Sequence, residues 1–213
     1  MKQARLDQLA DGIFAIVMTI LVFEIRIPDS IGMASENILF QSLMSMFPVF
    51  LSYLLSFSLL FTYWRSHHFI ESVLAKNIDT RFSNINAVFF FFVALVPFSS
   101  HFLGKYSYSK TAIIFFALNI IFIGITLFVM RQYAIKSSTI ENIPFTRTEN
   151  EHANMRILFP VGASVVAILI AFFSSTLAIL LFTLAILFNL LEKSTKHTFF
   201  LIDLFRKKKQ KTY

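Results

Sequence analysis

Long apolar runs decide what this chain can fold into. Residues 5 to 28 read RLDQLADGIFAIVMTILVFEIRIP, and most positions from Leu9 to Ile27 are apolar. Those 19 residues, at about 1.5 Å rise each, span roughly 28 Å, close to the ~30 Å hydrocarbon core of a bilayer. The first span is set at about 8–27, and five more such runs follow, at about 38–64, 82–103, 111–130, 157–173 and 176–191. A soluble fold of 213 residues would have to bury them all, with 28 Phe among them. Lipid removes that requirement. Only 15% of the residues are charged, against about a quarter in soluble domains. The sequence predicts an all-α membrane protein of six transmembrane helices. It forms a single domain over residues 1–213, since no polar stretch is long enough to fold alone.

The polar segments between the runs set the expected topology. The first run is entered through Arg5, Asp7 and Asp11, and is too long for the core of a cleavable signal peptide. A short loop with Asp29, Gly32 and Glu36 follows it. Pro48 in the second run is tolerated as a kink. That run ends in Tyr63, Trp64, Arg65, His67 and His68, and residues 65–81 read as a polar connection. The third run carries Pro97, and Gly104 to Lys110 form a tight turn into the fourth. Residues 131–156 read as a loop or short surface helix. Ser174 and Ser175 fold the last two runs into a hairpin, and a basic tail occupies 204–213. Sixteen of the 19 Lys and Arg residues collect on one side, leaving Arg26, Lys105 and Lys110 on the other. By the positive-inside rule both termini are expected in the cytoplasm of a multi-pass cell-membrane protein, a bacterial inner-membrane protein.

Several function classes find no support in the residues. Cys is absent, so disulfides and thiolate metal sites are excluded. His67 and His68 are adjacent and point apart on a helix, and His101, His152 and His197 are isolated, so no metal site is expected. The five Gly are scattered, without a phosphate-binding loop, and no Ser–His–acid set is suggested. The sequence predicts neither an enzyme nor a cofactor. The basic tail is read as a topology signal that also touches anionic lipid, not as a nucleic-acid contact. A TVGYG-type potassium filter and an Arg-repeat voltage sensor are both missing. Any ion filter must come from side chains.

Two stretches carry candidate chemistry. In the first run Ile13, Ile16, Ile20, Phe23 and Ile27 fall on one helical stripe, with Thr19 beside it. Gly12 permits close backbone approach. The stripe fits a pore lining of apolar constrictions with one hydroxyl layer. It fits ordinary helix packing too, with Asp11 paired to a basic neighbour such as Arg5, and periodicity alone favours packing because nearly every residue is apolar. The Trp64–His68 cluster fits a polar network that locks the first two helices and senses pH through His. Taken alone, it fits an interfacial aromatic belt with basic flanks better.

Taken together, the two stretches resemble the signature of the transmembrane protein 175 family, potassium-permeable channels of lysosomes and bacteria. The Arg5-to-Asp11 spacing is kept, with Leu9-Ala10 in place of the family's Phe-Ser pair. Tyr63-Trp64-x-x-His67-His68 looks like the family's Trp/His element. The resemblance implies a homotetramer of six-helix subunits with the first helix of each lining a central pore, closed by apolar side chains and without a backbone-carbonyl filter. It puts the main constriction on Ile16, a polar ring tied to ion preference on Thr19, and a further apolar layer on Phe23. It assigns Arg5, Asp11, Trp64, His67 and His68 to the network holding the helices. The replaced Ser at position 10 removes one member of that network. The expected cargo is permeant potassium. Competing expectations are a proton channel through the same pore, a secondary transporter, for which internal repeats are absent, and a non-conducting scaffold.

Overall fold

A computed structural model describes residues 3–26, 35–75, 77–140 and 147–190. Ile27, Asp29, Gly32 and the basic tail 204–213 lie outside these residues. The described chain is helical throughout, in the order α1 (Gln3–Ile20), a 3₁₀ turn (Leu21–Glu24), α2 (Glu36–Ser45), α3 (Phe47–His68), a π-helical turn (Phe69–Leu74), α4 (Thr80–Ala94), α5 (Val96–Lys105), α6 (Lys110–Lys136), α7 (Arg147–Ala171) and α8 (Ser175–Leu190). Among the described residues, five helical stretches are long and apolar enough to cross a membrane: Gln3–Glu24, Phe47–Ser72, Thr80–Lys105, Lys110–Lys136 and Asn150–Ala171. The apolar part of α8, Ser175–Leu187, is shorter.

The helices overrun the spans expected from hydropathy. Residues 65–74 continue α3 where a polar connection was expected, and α6 and α7 extend into the segment 131–156 that read as a loop or a short surface helix. Polar helix ends can protrude beyond the apolar core, because a helix satisfies its own backbone whatever its side chains meet. The expected second span is also divided. It breaks at Met46 into α2 and α3. Pro48 has no N–H, and its ring crowds the carbonyl four residues back, which weakens the α-helical ladder at this point, although α7 continues through Pro160. None of the α2 residues is buried. The third span bends at Leu95, just before Pro97, for the same reason.

α6 is the central helix. It packs on α4, α5 and α7, while α3 packs on α1, α5 and α8. Ile113, Phe116, Ile120, Ile123, Leu127 and Met130 are all fully buried, as expected for a helix that is apolar around its whole circumference. Two glycines set the closest approaches. A Cβ on Gly124 would collide with Val161 Cγ2 and lie 2.9 Å from the Tyr63 hydroxyl, so α3, α6 and α7 meet at that point. A Cβ on Gly104 would lie 2.6 Å from Ser52 Oγ and 3.1 Å from Val49 Cα. Small residues at such crossings let membrane helices gain dispersion contacts that lipid does not supply. Buried polar groups add interhelical links: Asn119 Nδ2 donates to Ser99 Oγ at 3.0 Å, and Ser100 Oγ to the Ser52 carbonyl at 3.2 Å.

Outside the spans, Asp79 caps α4 by accepting from the Phe82 N–H at 2.8 Å. The Tyr133 hydroxyl donates to the same carboxylate at 2.5 Å and that of Thr139 at 2.8 Å. Tyr133 first, then the cap bond, holds the Asp79 carboxyl below its ordinary range.

Candidate functional site: the first helix and the polar cluster behind it

α1 has two unlike sides. Leu6, Ala10, Phe14, Val17 and Leu21 are buried against α3 and α4. The opposite side, with Gly12, Ala15, Ile16, Thr19, Ile20 and Phe23, is exposed in the chain. Ile16 is 59% and Phe23 63% exposed. Four of the five stripe residues can be located. Ile16, Ile20 and Phe23 are open, Ile13 is half-buried at the edge, and Ile27 lies outside the described residues. A Cβ added to Gly12 would meet nothing within 4 Å, so the close approach read from the sequence does not occur within the chain.

Thr19 is held in one orientation. Its hydroxyl donates to the Ala15 and Ile16 carbonyls, both at 2.9 Å. With the proton directed at the helix backbone, the oxygen lone pairs are left facing outward as acceptors. Beyond Ile20 the helix tightens to 3₁₀ geometry, where residues three apart eclipse each other. That alignment sets Phe23 over Ile20. Arg26 Nε donates to the Phe23 carbonyl at 2.8 Å, capping the turn, and Glu24 Oε2 meets His101 Nδ1 at 2.5 Å, tying the turn to α5.

At the other end, the expected lock divides into two clusters. The outer one is partly exposed. Trp64 Nε1 donates to Asp11 Oδ1 at 2.8 Å, and Trp64 stacks on His68 with ring centroids 5.9 Å apart. His68 Nδ1 lies 3.5 Å from Asp7, and Ser72 Oγ bonds both of them at 3.2 Å. Asp11 thus has Trp64 as its partner where a basic neighbour had been considered. Among the described residues, Arg5 is exposed and makes no side-chain bond.

The inner cluster is closed to solvent. His67, Asn86 and Glu71 are each at most 1% exposed. His67 Nε2 meets Asn86 Oδ1 at 2.9 Å, and Asn86 Nδ2 donates to Glu71 Oε1. The His67 ring stacks on Phe89 at 4.9 Å and 7°, with Phe14 of α1 6.0 Å away. Gln3 Nε2 donates to the Glu71 and Ala75 carbonyls. The cluster therefore joins α1, α3, the π turn and α4. Sequence reasoning missed Glu71, Asn86 and Gln3. Two signals were available: Glu71 follows His67 at the i, i+4 spacing of one helix face, and Asn86 interrupts the apolar run of α4, where a polar residue marks a built contact.

The fold and this helix define a polytopic α-helical membrane protein with one helix that presents a mixed apolar and hydroxyl face. Comparison with known proteins gives the family. The family model described as endosomal/lysosomal potassium channel TMEM175 matches residues 5–97, which contain both clusters except Gln3. A potassium channel of Chamaesiphon minutus is 30% identical over 203 residues, covering 89% of this chain and 94% of that one. A potassium channel of a Chryseobacterium species is 26% identical over 157 residues, covering 73% of this chain and 71% of its own. The crystal structure of a lysosomal potassium-selective channel TMEM175 homolog from Chamaesiphon minutus superposes with a TM-score of 0.72 at 26% identity, covering 88% of this chain and 95% of that one. The chain belongs to the TMEM175 family, a family of potassium channels and not of enzymes.

Proposed function

We propose that the chain is a potassium-permeable cation channel whose pore is lined by the open side of α1 in a homotetramer. Residues 1–213 form one domain with six crossings, α8 being the sixth. Both termini lie in the cytoplasm of a bacterial inner membrane, where the tail at 204–213 touches anionic lipid. The observation that supports this most is the asymmetry of α1: a helix packed on one side leaves Ile16, Thr19 and Phe23 together on the other.

Four copies of that side around an axis place Ile16 and Phe23 in apolar rings with Thr19 between them. A potassium ion cannot pass an apolar ring without losing hydration, so conduction requires the ring to widen and wet. The Thr19 ring offers oxygen acceptors, and selectivity built on it is modest. Asp11, Trp64, His67 and His68 hold α1 against α3, with Glu71 and Asn86 completing the lock, and Arg5 at its edge.

Potassium flux into liposomes containing the purified chain tests this. Ile16→Asn should raise flux and weaken discrimination. Folded wild type and folded variant both silent would overturn the channel reading. A proton pathway through the same pore is separated by a pH-gradient dye assay without potassium, in which a potassium pathway gives little signal. Saturable, coupled uptake would point to a transporter.

A further inference from the structure

At the end of the bundle that holds Trp64, a second feature has no α1 residue among the described residues of its lining. A cavity of about 360 Å³ opens between α3, α6 and α7, with Arg65, Ser66, Phe69, Arg131, His152 and Arg156 in its wall. Among the described residues, three guanidinium groups and an imidazole line it, and no carboxylate does. Like charges gathered around a concave site repel one another unless something neutralises them.

Arg131 is the informative residue. It is 1% exposed, the largest fully buried side chain described. Its Nη1 donates to Asn150 Oδ1 at 2.6 Å and Asn154 Oδ1 at 3.1 Å, which fixes the guanidinium plane against α7. Its Nε and Nη2 are buried and have no hydrogen-bond partner among the described residues. Those two nitrogens form one edge of the guanidinium, the fork that matches two oxygens of a phosphate or carboxylate. Arg65, His152 and Arg156 stand in the same wall and have contacts of their own, so the site rests on Arg131. A buried cation with an orphaned bidentate edge is costly to leave unmet. Neutral asparagines on the other edge position it without cancelling its charge.

We propose that this cavity is an anion site for a phosphate group, gripped by the Nε–Nη2 edge of Arg131 and neutralised by Arg65 and Arg156. Phosphate fits better than carboxylate because it brings more charge and more acceptor oxygens to a wall with three guanidinium groups. The shared chemistry has two possible sources: the headgroup of an anionic phospholipid entering from the membrane between helices, or a free phosphate from solution. Phe69 and Ile157 in the same wall offer an apolar floor on which a lipid could rest.

Two arms of one experiment test the site and distinguish its source. Full-length chain in detergent is titrated with inorganic phosphate by calorimetry. In parallel it is placed in nanodiscs of phosphatidylcholine with and without phosphatidylglycerol, and retained lipid is counted by native mass spectrometry. Binding is expected in at least one arm, and which one names the source. Arg156→Gln and Arg131→Gln should each weaken it about tenfold or more, the usual range for one charge-assisted contact. Arg131→Lys, which keeps the charge but lacks the fork, should fall between. Lys136→Gln removes an exposed charge at the same end of α6 and should leave binding unchanged. If Arg131→Gln does not fold, Arg156→Gln is read alone. No binding in either arm overturns the proposal. Equal losses in Lys136→Gln and Arg156→Gln overturn it too, since they would mean diffuse surface charge.

Discussion

The two sides of α1 obey different rules. One side, from Leu6 to Leu21, is built as interior: Phe14 is fully buried and meets the His67 and Phe89 rings at 6.0 Å. The other is open and chemically mixed, with Gly12, Ala15 and Thr19 among large apolar side chains. Openness alone does not distinguish it, since α7 also exposes a face, with Val165, Val166 and Leu169. That face is uniformly apolar, as a helix against lipid requires. A single helix therefore carries a packing requirement on one side and a functional one on the other, and substitutions should separate the two.

The largest effect is expected on the closed side. Phe14→Ala should lower stability by about 3–5 kcal/mol, the cost of removing a buried aromatic. Thermal denaturation in detergent reads this, and a melting curve like that of wild type would mean the interior assignment is mistaken. Asn86→Leu comes next. It strips His67 Nε2 and Glu71 Oε1 of their shared partner at about 1–3 kcal/mol for each orphaned group. On the open side the readout changes from stability to conduction. Ile16→Asn should leave the melting curve unchanged and raise potassium flux about tenfold, as a barrier lowered by about 1.4 kcal/mol would. Leu169→Asn on α7 serves as the control and should leave flux unaltered; equal gains at both positions would erase the distinction between the faces.

Thr19→Val keeps the shape of the side chain and removes the outward acceptor. Potassium-over-sodium discrimination should shift about fivefold, the size of one net hydrogen bond, and reversal potentials in mixed salt measure it. The smallest effect lies outside both faces. Asp79 has a lowered pKa in the folded chain, so its contribution is present above the unfolded carboxylate value near 4 and is lost as pH falls through the lower folded one. Asp79→Asn retains a capping side chain and should show a shallower stability loss in acid, below about pH 4. An identical acid profile would show that Tyr133 and Thr139 do not depend on the charge.

The membrane class and the position of the first helix were legible because apolar length is a physical requirement of the bilayer. So was the partnership of the Asp11 and Trp64 regions, which the resemblance supplied and hydropathy did not. The ends of α3, α6 and α7 were not legible, because Arg65, Arg131 and Arg147 read as loop residues although a helix can carry them past the apolar core. Glu71 was hidden for the same reason, since it falls in a segment whose polarity reads as a connection. The break at Met46 is signalled by Pro48, which reads equally well as a kink. Which side of α1 stays open could not be read from periodicity, as both sides are apolar; the resemblance put Ile16, Thr19 and Phe23 together on the lining side, and those three are exposed in the chain.

The pinch at Gly124 has a consequence for how the chain is made. Tyr63 of α3 reaches the Ile120 carbonyl of α6 at 3.4 Å, beside a glycine pressed against Val161 of α7. Helices enter the bilayer in order of synthesis and associate afterwards, so α3 is inserted well before either partner exists. Until α6 is synthesised, the Tyr63 hydroxyl lacks the Ile120 carbonyl as its acceptor. The half of the chain that carries the family signature thus depends for its final packing on the half that does not.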